Sequence, residues 1–262
     1  MFKPVIVVTG ASKGLGLAVT KLLLQKFGVC VVAISRTESP GLQELAQAHG
    51  QALLHYKCDV TDSVNFEKAV TDAHAKFDRI DGVVLNAGVF EPIGKITNPA
   101  VSLDEWKTSF DVNFFSLVSA LRVVVPLLHN NGTDPKGRVI FVSSGAAIGG
   151  THGWAPYNAS KAAMNSLCRT LAMEEPDIVC VAVRPGKVDT AMQAQIRGLT
   201  GTDKMRPEDV AEFVKSYEEG ELIHPEESGH VIASMALNAN REFSGQFISW
   251  NSEECRDFWD TK

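Results

Sequence analysis

With 262 residues, 45% of them hydrophobic, the chain is long enough to bury a sizeable core in one large α/β domain. Its 25 basic and 31 acidic side chains leave a net charge of −6, which offers no field to hold nucleic acid or an anionic membrane. A small-molecule partner is the expectation.

In chain order, Met1-Phe2-Lys3 passes directly into an apolar run, without the apolar stretch and cleavage site of a leader. Short β-branched runs then recur at 5–8, 29–35, 52–60, 82–88, 138–144, 179–186 and 245–250, and their lack of alternation suits strands covered on both faces. Between them lie helical spacings such as Leu42, Leu45 and Ala46, or Phe66, Ala69, Val70 and Ala73. This alternation predicts a doubly wound α/β fold of the Rossmann type, with about seven parallel strands in a single domain over 1–262. Residues 1 to about 135 would form a cofactor half, and about 136–262 a catalytic and substrate half. Residues 192–228 break the rhythm as a polar insert with one amphipathic stretch, read as a flap over a site or as an ordinary surface excursion. No run approaches ~20 uninterrupted apolar residues, so no membrane span is expected. Five cysteines (Cys30, Cys58, Cys168, Cys180 and Cys255) lack CxxC or metal-ligand spacing, and are read as reduced, mostly buried thiols of a cytoplasmic protein without a metal site.

The first strand runs into "TGASKGLG", residues 9–16. In an open parallel sheet, ligands bind at this carboxyl edge. Gly10, Gly14 and Gly16 let the chain turn sharply and let a phosphate approach a helix N-terminus, although glycines here could also serve only to relieve crowding. After the second run, where an acid would bind a ribose 2′-hydroxyl, stands Ser35-Arg36-Thr37. The Arg36 guanidinium, aided by Lys13, suits a 2′-phosphate and predicts NADP over NAD, whereas elsewhere the same arginine would read as a solvated loop residue. Asp59-Val60 closes the third run, where the carboxylate would accept from an adenine amino group and the valine would pack on the ring, unless Asp59 is simply a turn residue. Asn86-Ala87-Gly88 closes the fourth with residues small enough for a cofactor to lie along the backbone.

Tyr157 and Lys161, four apart in a helical stretch, share one face. An ammonium near a phenol favours phenolate, lowering a pKa of ~10 and making Tyr157 an acid or base near neutrality. Ser144, closing the fifth run, would hydrogen-bond the substrate oxygen. Ala146, Trp154, Phe90 and Met192 lie near motif ends and would suit an aromatic ketone, with Trp154 packing the loop before the helix as an equal reading. His152 is read as a solvated loop residue.

Taken together, Thr9-Gly10 with Gly14 and Gly16, Asp59, Asn86-Ala87-Gly88, Asn113, Ser144, Tyr157, Lys161, and Pro185-Gly186 with Val188 and Thr190 resemble the short-chain dehydrogenase/reductase family over nearly the whole chain. The resemblance implies Tyr157 as proton donor, Ser144 orienting the substrate, Lys161 on the nicotinamide ribose, and Asn113 holding a water in a proton relay. It places Ser12 and Leu15 in the cofactor loop, and the Val188 backbone and Thr190 hydroxyl near the nicotinamide carboxamide. "GWAPYNASKAA", "LAMEEPDIVCVAVRPGKVDTAMQ" and "SGQFISW" resemble sepiapterin reductase and the benzil reductases of fungi and bacteria, which are NADPH-dependent reducers of dicarbonyl or keto groups. Where pterin-reducing members carry an acid after the last strand, this chain has Ser252 followed by Glu253, which favours a benzil-type or broader carbonyl reductase. An NADPH-dependent carbonyl reductase is therefore the expectation. The alternatives are an NADP-linked alcohol or hydroxysteroid dehydrogenase working oxidatively, and a non-catalytic NADP(H)-binding sensor. The resemblance also implies a homodimer formed through the helices at 104–128 and 157–174.

Overall fold

Val5–Thr9 is buried along its length and forms an interior strand, β1, of the computed structural model, which describes residues 3–260. The reading of no leader falls partly on Met1 and Phe2, which lie outside the described residues. Beyond β1 the chain alternates through α1 (Gly14–Gln25), β2 (Cys30–Ser35), α2 (Pro40–His49), β3 (Leu53–Lys57), α3 (Ser63–Phe77) and β4 (Gly82–Leu85). The second half holds α4 (Leu103–Phe110), α5 (Ser116–Leu128), β5 (Gly137–Val142), α6 (Ala155–Glu174) and β6 (Ile178–Arg184). It ends with α7 (Ala191–Arg197), α8 (Pro207–Glu218), α9 (Pro225–Asn238) and β7 (Phe247–Ser249). The seven strands form one sheet in the order β3-β2-β1-β4-β5-β6-β7, and each neighbouring pair is parallel.

Helices cover both faces, which is why the strands show no polar alternation. On one side Ile6, Val8, Val31 and Val181 meet Leu15, Val19 and Leu23 of α1 and Val231 and Met235 of α9. On the other, Val7, Val83, Val139 and Phe141 meet Phe66 of α3, Leu121 and Val124 of α5, and Met164 and Cys168 of α6. Each such fully buried side chain contributes on the order of 1.5–3 kcal/mol. Strand order reverses between β1 and β4, and the crevice at that switch point is where an open α/β sheet receives a ligand.

Three expectations change in detail. The runs read to residues 60, 88, 144 and 186 end as strands at Lys57, Leu85, Val142 and Arg184, with Cys58 and Ser143 each making one last bond to the neighbouring strand before the chain turns off. The segment read as a flap over 192–228 comprises α7 and α8, but its last residues already belong to α9, which begins at Pro225. The helical stretch Leu103–Asn131 is by length and composition apolar enough to cross a membrane, which interrupted apolar runs had not suggested. It is a core helix: Leu117, Leu121, Val124 and Leu128 are buried against the sheet. The five cysteines form no disulfide, and burial raises the Cys168 thiol to about 12, as expected of inert core thiols.

Candidate active site

Gly10, Arg36, Asp59, Asn86, Ser144 and Pro185 lie one or two positions beyond the carboxyl ends of the strands, where Thr9 joins two of those ends. Its hydroxyl oxygen accepts from the backbone N–H of Asn86 and of Ala87, both at 3.0 Å. The Asn86 amide returns a bond to the Thr9 carbonyl at 2.9 Å. Asn86 therefore braces the β1 and β4 ends. A Cβ on Gly16 would lie 2.2 Å from the Gly10 carbonyl oxygen and 2.5 Å from Asn86 Nδ2, so at this position the glycine relieves crowding within the turn. Gly14 has φ +53°, and its missing Cβ would sit 3.2 Å from the Thr190 methyl, which brings the loop after β6 onto the glycine turn.

The N-terminus of α1 fits a phosphate. Ser39, Asp62 and Ser102 cap α2, α3 and α4, yet α1 has Lys13 at its N-cap with no side-chain cap and no acid in its first turn. Its leading N–H groups and positive dipole end are left for an anion. Next to it, Ser12 Oγ lies 3.4 Å from Thr37 Oγ1, and Ser35 Oγ donates to the Thr37 carbonyl at 2.9 Å, so the glycine turn and the β2 end form one rim. Arg36 extends from that rim into solvent, with Nη1 3.9 Å from Asp59 Oδ2. The other Asp59 oxygen accepts from the Thr61 N–H (3.0 Å) and hydroxyl (2.8 Å). Asp59 is thus a turn residue, and the adenine contact read for it competes with that turn. Val60 is partly buried beside it, and Lys13 makes no ion pair among the described residues.

Tyr157 and Lys161 occupy the first turns of α6 and are both buried. Lys161 Nζ donates to the Val142 carbonyl at 2.8 Å and lies 5.7 Å from the Tyr157 ring centre. Burial holds the ammonium down at about 8. The expected lowering of the phenol by Lys161 does not set the balance. Burial pushes the Tyr157 pKa up, and the opposing influence is a hydrogen bond from Ser144. The phenol is accordingly neutral around pH 7. Ser144 Oγ also accepts from the Ala146 N–H at 3.2 Å, a turn that fixes the hydroxyl at the end of β5.

Asn113 sits in a π turn, Asp111–Phe115, between α4 and α5, a device common at functional sites. Its amide clasps the Val89 backbone, accepting from its N–H at 2.8 Å and donating to its carbonyl at 2.9 Å, with a further bond to Ser160 Oγ at 3.2 Å. A Cβ on Gly88 would lie 3.3 Å from Asn113 Oδ1 and 3.8 Å from Lys161 Nζ, so Ala87-Gly88 keep this corner open. Across the site, Gly186 adopts φ +83° and the buried Val188 pairs with Ile223, holding the 185–190 loop to the end of the flap.

The 192–228 segment packs onto the aromatic side chains beside the tyrosine. Trp154 packs edge-on to Phe90 at 4.7 Å and to Tyr157 at 6.0 Å, lies 5.5 Å from Phe213 of α8, and donates its indole N–H to Met205 Sδ at 3.0 Å. Ala146 is buried in the same cluster, with Met192 partly buried against it. Trp154 packs its loop, as one reading had it, and its ring stands beside Tyr157. Phe213, Met205 and Ile93 also belong to this apolar wall and were missed; the amphipathic spacing of the insert was the one signal for Phe213 and Met205. His152, expected to be solvated, is half-buried, with Nδ1 shielded and without a partner among the described residues.

A parallel sheet with an uncapped glycine turn, and a Ser-Tyr-Lys constellation at its carboxyl edge in which the tyrosine and lysine are buried, defines a nucleotide-dependent oxidoreductase. The short chain dehydrogenase family pattern matches residues 4–199, and the chain belongs to that family, whose members use a nicotinamide cofactor. An uncharacterised oxidoreductase of Schizosaccharomyces pombe is 40% identical over 95% of this chain and 96% of its own. Benzil reductase ((S)-benzoin forming) of Saccharomyces cerevisiae is 36% identical over 95% and 96%. The crystal structure of the short-chain dehydrogenase/reductase YIR035C from the same yeast has a TM-score of 0.91 at 33% identity, covering 98% of this chain and all of that one.

Proposed function

We propose that the protein is an NADPH-dependent carbonyl reductase acting on an aromatic ketone or vicinal diketone. The observation that carries this is the buried, neutral Tyr157 phenol, with Ser144 beside it and faced by Phe90 and Trp154. A group that keeps its proton near neutrality suits donation to a carbonyl oxygen, the reductive direction. When bound, the cofactor supplies the hydride. Ser144 and Tyr157 hold the carbonyl oxygen, and Tyr157 delivers its phenolic proton as negative charge develops there. Lys161 contributes positive charge beside the phenol and a donor for the ribose, while Asn113 fixes the Val89 backbone that borders the site. The aromatic wall excludes water and gives aryl groups a surface to pack on.

The benzil reductase among the relatives supports the diketone reading. Against a pterin, Ser252 begins the last turn and Glu253 pairs with Arg256 at 2.7 Å, so the acid next to the expected anchor position is already engaged. A cytoplasmic homodimer remains part of the reading, supported by the exposed Phe115 and Met173 on the helices expected to pair.

Turnover of a panel of benzil, phenylpropanedione, sepiapterin and a simple aldehyde, followed by NADPH absorbance, tests the substrate class. The diketones should be reduced fastest; preference for sepiapterin would replace the benzil-type reading, and inertness toward all four would remove it. Arg36→Ala tests the cofactor. Removing an exposed, charge-assisted phosphate contact should weaken NADPH roughly tenfold and NADH by less than about twofold in fluorescence titrations. Equal losses would eliminate the 2′-phosphate assignment.

A further inference from the structure

We propose that Lys187 is a positioning residue that fastens the flap to the loop on the nicotinamide side, so that cofactor and carbonyl substrate bind cooperatively. This rests on the function proposed above. Lys187 lies in the 185–190 loop after β6 and grips α8. Its Nζ donates to Glu212 Oε1 at 2.6 Å and to Ser216 Oγ at 3.2 Å, and lies 5.3 Å from the centre of the Phe213 ring. Those three residues lie within about one turn of α8. The Lys187 backbone holds the segment that follows the same helix, because its carbonyl accepts from the Ile223 N–H at 3.0 Å, five residues beyond the end of α8. The next contacts lead to the reacting group. Phe213 meets Trp154, Trp154 meets Tyr157, and the Phe213 carbonyl accepts from Gln193 of α7 at 3.2 Å.

The other end of the flap is seated just before α6. A Cβ on Gly153 would lie 2.2 Å from the Lys204 carbonyl oxygen, and the neighbouring Met205 accepts from Trp154. One lysine thus connects a loop that cofactor would order with a helix that forms the substrate wall. Binding linkage is reciprocal, so whatever orders the loop favours the seated flap and tighter substrate binding. The ion pair is largely exposed, 37% at Lys187 and 67% at Glu212. Its loss should therefore alter affinity modestly and leave overall stability almost unchanged.

The test uses the full chain and reads both kinetics and flap protection. In Lys187→Met, KM for the diketone should rise roughly three- to tenfold with kcat within about twofold and an unchanged Tm. Glu212→Gln should act in the same direction, and Lys187→Arg should restore the wild-type KM. Independently of turnover, tryptic cleavage after the exposed Lys204 is followed with and without NADP+, alongside NADP+ affinity. NADP+ should protect this bond in the wild type and fail to protect it in Lys187→Met, although both bind the nucleotide. Full protection in the variant would overturn the coupling role while leaving the reductase reading intact. Nucleotide binding that protects neither protein would also overturn it. Absence of NADP+ binding to the wild type would overturn the cofactor reading, and the coupling with it.

Discussion

Tyr157→Phe should reduce kcat for a diketone by on the order of a thousandfold while NADPH affinity stays within about twofold. The ring is retained, so its edge-on contacts with Phe90 at 5.5 Å and Trp154 at 6.0 Å survive, and the flap keeps its seat. Only the hydroxyl is lost, together with the proton it supplies. Stability should change little, because the ring keeps its packing and Ser144 keeps its own bond from the Ala146 N–H. Steady-state kinetics and a nucleotide titration separate the two effects. Retained turnover would show that another group protonates the product, and a parallel loss of NADPH binding would mean that the phenol holds cofactor more than it moves a proton.

Much of this arrangement was legible in the amino-acid order, for reasons that are local. Unalternating runs such as Val5–Thr9 reported strands buried on both faces, and the glycines at 10, 14 and 16 reported a turn that tolerates no side chain. The Tyr157 and Lys161 spacing reported a shared helix face. What was illegible depends on partners distant in the chain. Asn86 read as a small strand-end residue beside a cofactor, yet its amide braces Thr9, 77 positions away. Asn113 read as a water holder by resemblance, but its side chain clasps Val89, 24 positions away, and Ser160, 47 away. The direction of the Tyr157 pKa was misjudged for a similar reason. A four-residue spacing shows that a lysine is near, but desolvation is set by everything packed around both groups. The flap wall of Phe213 and Met205 was hidden because a polar insert shows its apolar positions only once it folds onto Trp154.

Lys161→Met should have effects of opposite sign on activity and on stability. Turnover should fall on the order of a hundredfold or more, because the ammonium next to the phenol is lost. The protein without added nucleotide should become more stable at pH 7. The folded-state pKa of Lys161 is about 8, against 10.5 for an unburied lysine. The folded chain therefore holds this proton less tightly than the unfolded chain. Below about 8 the wild type bears the full cost of burying a charge, and as pH rises from 8 toward 10.5 that cost disappears. A depression of this size corresponds to roughly 3 kcal/mol. Methionine also forfeits the bond to the Val142 carbonyl, worth about 1 kcal/mol. The net gain at pH 7 is thus on the order of 1–2 kcal/mol. Denaturant midpoints at pH 7 and pH 10 decide the matter: the variant's advantage should shrink or reverse at the higher pH. A variant less stable by the same amount at both would mean that Lys161 is not charged at a cost in the folded protein, and that its ammonium is solvated well enough to keep an ordinary pKa. The predicted outcome would instead place this lysine among groups retained for catalysis against the interest of the fold, a conflict that concentrates at active sites because charge is useful there only where water is excluded.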